Sequence, residues 1–85
     1  MDKEQVIGLV KRYKQIIAPR FDGKAKVYLF GSYSKGCARP ESDIDVAVIV
    51  PSFGDNWWVW TKGLWRDVRQ VSSLIEPVLM EVQKQ

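Results

Sequence analysis

The sequence contains no histidine and a single cysteine, Cys37, so it can build neither an internal disulfide nor a zinc site of the usual nitrogen and sulfur ligands. Any metal must be held by oxygen. Long apolar runs are missing too: the longest, Val46 to Val50, falls far short of the roughly 20 residues that a membrane span needs. The first residues, Asp2, Lys3 and Glu4, do not read as a signal peptide, and the expectation is a cytoplasmic protein with no membrane partner. Nor is charge of one sign concentrated. Thirteen Lys and Arg stand against 10 Asp and Glu, for a net charge of +3, and the cations are scattered along the chain. That pattern argues against a nucleic-acid partner.

What remains is the composition of a soluble globular chain, 46% hydrophobic and 27% charged over 85 residues, which suffices for one domain over residues 1–85 and excludes a second. The four tryptophans are its only excess. Asp2 followed by Gln5 reads as a capping box, and Val6, Leu9, Val10, Tyr13, Ile16 and Ile17 then recur at helical spacing until Pro19. Lys26 to Phe30 reads as a short strand ended by Gly31 and Ser32. Ile44 to Val50, rich in β-branched residues and stopped by Pro51, is the strongest strand signal. Apolar side chains on both of its faces predict a strand covered from both sides. A helix is expected from about Asp55 to Ser72, with Trp57, Trp60, Leu64, Val68 and Val71 along its buried stripe. Leu74 to Val82 is expected as a last strand, which Pro77 confines to an edge or a bulge.

Chemistry concentrates between residues 30 and 50, in FGSYSKGCARPESDIDVAVIV. Asp43 and Asp45, two apart, project from one face of the strand mouth. Carboxylates held about 4 Å apart repel by about 4 kcal/mol at an effective dielectric of about 20, which favours nothing unless a cation lies between them. Magnesium accepts one or two carboxylates together with phosphate oxygens and water. Gly31 allows backbone to approach a ligand closely, and the amides after it, with the Ser32 hydroxyl, can donate to phosphate. Lys35 and Arg39 are candidate phosphate cations; Cys37 has no role in this reading.

Phe30, Gly31 and Ser32, ten further residues, and then Asp43, Ile44, Asp45 and Val46 resemble the signature of the nucleotidyltransferase superfamily that includes DNA polymerase beta. The longer string, with Gly36 as its second glycine, is similar to the minimal nucleotidyltransferases of bacteria and archaea. The resemblance implies an α/β (α+β) fold, a small mixed sheet of about three strands flanked by helices. It also implies attack of a hydroxyl on the α-phosphorus of a nucleoside triphosphate, ATP being the expected one, with transfer of AMP. Gly31, Ser32, Lys35 and Gly36 would hold the nucleotide, and Asp43 and Asp45 would bind Mg2+, two ions in all. Glu76 is the candidate third catalytic carboxylate and Glu81 the fallback.

The resemblance further implies a helical partner of the HEPN type, as in toxin-antitoxin pairs, with the acceptor hydroxyl on that partner. The alternative is an antitoxin-like subunit that neutralises its partner by contact alone. RNA end modification has only the weak positive charge in its favour. Trp58 and Trp65 lie off the buried stripe, on a flank shared with Lys62 and Arg69, and are candidates for docking a second copy or a partner.

Overall fold

The computed structural model describes residues 2–31 and 43–82. Helix α1 spans Lys3–Ile17, and a 3-10 turn, Ala18–Phe21, leads to strand β1, Lys26–Phe30. Strand β2 is Ile44–Val50, helix α2 is Trp57–Val68 and strand β3 is Ile75–Glu81. The capping box forms as expected. The Asp2 carboxylate accepts the Gln5 N–H at 2.8 Å, and the Gln5 side chain accepts the Asp2 N–H at 3.0 Å, which satisfies two amides that the first turn would otherwise leave open. Pro19 lacks the N–H that would continue α1, so the chain tightens into the 3-10 turn and leaves it through Asp22 at φ 53°.

Strand order is β1-β2-β3, with β2 antiparallel to β1 and parallel to β3. Pro77 therefore sits on an edge strand, where its missing donor costs least. Helix α2 is shorter than its periodicity predicts. It stops at Val68, and the chain continues in turns that end where the Ser72 hydroxyl accepts the Leu74 N–H at 3.2 Å, redirecting the backbone into β3.

Ile44, Val46, Val48 and Val50 are fully buried against Val6, Tyr13, Ile17, Leu64, Val68, Ile75 and Leu79. Burial of each such side chain contributes about 1.5–3 kcal/mol. Both helices thus pack on one face of the sheet. The other face carries Tyr28 and Phe30 from β1, Ala47 and Ile49 from β2, and Val78 and Met80 from β3, and here the expectation of a strand covered on both sides fails. Tyr28, Phe30, Val78 and Met80 are all at least 40% exposed, and Ala47 is shielded by its larger neighbours. A second correction concerns Trp57, expected in the core and 49% exposed. It is the first residue of α2, seven residues before Leu64, where the stripe becomes buried. Trp60 meets the expectation, half-buried with its ring centroid 5.1 Å from that of Phe21.

Two polar ties lock the helices together. Tyr13 is fully buried and its hydroxyl donates to the Leu64 carbonyl at 2.8 Å; burial pushes its ionisation well above the ordinary phenol value, so it stays a neutral donor. Arg20 grips the buried Asp67 with two hydrogen bonds, Nε to Oδ2 at 2.6 Å and Nη2 to Oδ1 at 3.0 Å. Gly63 makes room for that grip, because a Cβ there would lie 3.0 Å from Arg20 Nη1.

The two halves of the ion pair are not equivalent: the Arg20 side chain is 35% exposed and that of Asp67 only 5%. Arg20→Ala strands a buried carboxylate and is expected to cost about 2–3 kcal/mol, whereas Asp67→Asn leaves a guanidinium that water can reach and should cost about 1 kcal/mol. Urea denaturation of the two variants measures that order.

Candidate active site

The parity of β2 decides where its carboxylates go. Because alternate residues face opposite sides, burying Ile44 and Val46 turns Asp45 onto the open face. There Phe30 is its register partner on β1 and Glu76 its register partner on β3, each one strand spacing away, about 4.8 Å. Asp43, exposed, stands one residue before β2 at the same end of the sheet. The loop after α2 is tied in at this point, since the Ile44 N–H donates to the Leu74 carbonyl at 2.8 Å. Three carboxylates from two strands therefore share one end of the open face.

Gly31 closes the other side of Asp45. Its φ is +78°, and a Cβ on it would collide with the Asp45 carboxylate, coming within 3.0 Å of its Cγ. The glycine is thus required twice, by the backbone conformation and by close approach to an acid. Sequence reasoning assigned Gly31 to phosphate and missed its contact with Asp45. A glycine directly after a strand was the only available signal.

Like charges crowd the cluster. The Glu76 carboxyl is held above the usual carboxylate range first by the charge of Asp43, then by partial burial, the charge of Asp45 and a hydrogen bond with Asp43. Glu81 is not part of this cluster. It lies five residues further along β3, about 16 Å by strand rise, and accepts the Phe53 N–H at 3.0 Å. Ser32, Lys35, Gly36, Cys37 and Arg39 lie outside the described residues.

Among the described residues no three acids form a ready-made metal cage. The donor set nevertheless suits a hard cation, being all oxygen and mutually repulsive until a positive charge enters. Magnesium would take Asp43 and Asp45 and complete its shell with phosphate and water.

A family model described as the nucleotidyltransferase domain matches residues 10–81, most of the chain. The chain belongs to this nucleotidyltransferase family. A crystal structure described as a nucleotidyltransferase from Sulfolobus solfataricus has a similar fold, with TM-score 0.64 and 22% identity over 92% of this chain and 71% of that one. No curated protein sequence matches. The minimal nucleotidyltransferase-like fold expected from the glycine-serine turn and the paired aspartates is therefore the fold observed: a small mixed sheet with two helices.

Two outcomes follow from this geometry. Gly31→Ala should lose about 1–2 kcal/mol from the left-handed backbone alone, and it should depress nucleotide transfer because Asp45 must move; thermal melting and a transfer assay measure the two effects. Glu76→Gln should raise the melting temperature in chelator at pH 7. The raised Glu76 pKa means that its ionisation opposes folding, so stability is full below the ordinary carboxylate range and is lost as pH rises through the raised value. The gain in the variant should therefore vanish at acidic pH, and melting curves at pH 4 and pH 7 measure it.

Proposed function

We propose that this nucleotidyltransferase domain moves a nucleoside monophosphate, AMP from ATP, to a hydroxyl on a partner protein and depends on magnesium. The observation that carries the reading is the meeting of Asp43, Asp45 and Glu76 at one end of the open face, beside Gly31. In the reaction the acceptor oxygen forms a bond to the α-phosphorus while the bond from that phosphorus to the bridging oxygen breaks, and pyrophosphate leaves. Asp43 and Asp45 would hold Mg2+, two ions in the full site, and the metal would supply charge neutralisation at the attacking and leaving oxygens. Glu76, the register partner of Asp45 on β3, is the group that accepts the proton of the hydroxyl. Gly31 and the amides after it take the triphosphate.

The open face suits a protein acceptor. Tyr28, Phe30, Val78 and Met80 offer exposed apolar surface that leads directly to the acids, and Lys26 is the only cation that β1, β2 and β3 contribute to it. The same apolar surface would serve the alternative role, a binding subunit that neutralises a partner without transfer.

Incubation with each α-labelled nucleoside triphosphate, magnesium and a lysate of the native host, followed by mass spectrometry of labelled species, tests the reading. Asp43→Asn and Asp45→Asn should each reduce labelling at least about a hundredfold with the circular dichroism spectrum unchanged. Undiminished labelling in either variant would exclude the carboxylate assignment. Absence of labelling with intact partner binding would favour the contact-only role.

A further inference from the structure

We propose that the outer flank of α2 is a binding groove for single-stranded nucleic acid. The inference stands apart from the transfer reaction and rests on different residues. Trp58, Lys62, Trp65 and Arg69 follow one another at spacings of four, three and four, which sets them in a single stripe on the helix. Both tryptophans are half-exposed, 56% and 45%, and Lys62 Nζ lies 4.9 Å from the centroid of the Trp58 ring.

Beside this stripe runs a groove of about 600 Å3 lined by Thr61, Lys62, Trp65, Arg66, Arg69 and Ser73. No acid lines it. The one acid of α2, Asp67, is buried and neutralised by Arg20, and among the described residues Lys62, Arg66 and Arg69 take part in no ion pair. The Thr61 hydroxyl is shielded and has no hydrogen-bond partner among the described residues. Three cations outside any ion pair, two hydroxyls and a half-exposed indole make an incomplete set of contacts, and one ligand chemistry completes it: phosphates for the cations, a flat base for the ring.

Apolar protein surface does not fit, because it would bury three guanidinium and ammonium groups without partners. The dimensions favour a nucleotide strand over a merely acidic one. Seven residues at 1.5 Å each set Trp58 and Trp65 about 10 Å apart along the axis, the length of about three stacked nucleotides. The scatter of cations along the sequence argued against nucleic acid, but the helix gathers three of them into one groove.

The test is fluorescence anisotropy of the full chain with fluorescein-labelled 12-nucleotide oligo(U) and oligo(dT) in EDTA, so that metal-borne phosphate binding at the carboxylates contributes nothing. Binding should weaken with salt at a log–log slope of about −2, the value for three phosphate contacts on a single strand. Arg66→Glu with Arg69→Glu should weaken it at least about tenfold, Trp65→Ala about tenfold, and Trp65→Phe far less, since a phenyl ring still stacks. All these side chains are exposed at the surface, and unchanged melting curves would verify that the variants fold.

Failure to bind either oligonucleotide, or binding that the charge reversals leave intact, would overturn the proposal. So would heparin competing as well as an oligonucleotide with no effect of Trp65→Ala, because the flank would then be a cationic surface without base recognition. Sedimentation showing a dimer that Trp58→Ala with Trp65→Ala dissolves, with no oligonucleotide bound, would assign the stripe to a second copy instead. Transfer activity is not read in any arm, so failure here leaves the nucleotidyltransferase reading untouched.

Discussion

Everything in this small domain hangs on the central strand. β2 must pack four β-branched side chains against two helices on one side, and burial of Ile44, Val46, Val48 and Val50 leaves no freedom in its register. A slip by one residue would carry the whole apolar set to the open face and drive Asp45 into the core, at the cost of a buried unpaired charge. The same constraint that stabilises the fold thus aims the acid. Asp45 meets Glu76 because both strands obey the same alternation from a shared buried row.

The helices serve the sheet and are held to each other by polar ties. Tyr13 and Arg20 reach from the first helical segment to the Leu64 carbonyl and the Asp67 carboxylate of α2, so that the two helices present one continuous surface to β2. Because both stand on the same side, the opposite face of the sheet is left for other molecules. Its composition divides sharply, with acids at one end and exposed aromatic and aliphatic side chains along the rest. The outer flank of α2 differs again, with cations between indole rings. A chain of 85 residues therefore offers three chemically distinct surfaces, and one helix-on-sheet core supports all of them.

Local rules made much of this legible in advance. The capping box at Asp2 and Gln5, the strand from Lys26 to Phe30 and the strand from Ile44 to Val50 depend on short-range periodicity and on stops such as Pro51, and they occur where the sequence places them. Glu76 was preferred over Glu81 on the early position of one and the strand parity of the other, and the structure sets Glu76 beside Asp43 and Asp45 and Glu81 at the far end. Helix α2 was overdrawn because periodicity does not register the turn that Ser72 closes.

Sequence by itself determined the elements, their apolar faces and the family, because these follow from spacing along the chain: alternation in strands, three and four in helices, and a glycine-serine turn ten residues before paired aspartates. Tertiary structure alone decided which apolar face is covered. Tyr28, Phe30, Val78 and Met80 have the same character as core residues, and only the stacking of both helices on the opposite side leaves them exposed. It alone decided that Gly31 must lack a side chain to clear Asp45 and that Asp67 is neutralised by Arg20, 47 residues away. Contacts between residues far apart in the chain are set by how layers pack, and that information is distributed over the whole core and carried by no single motif.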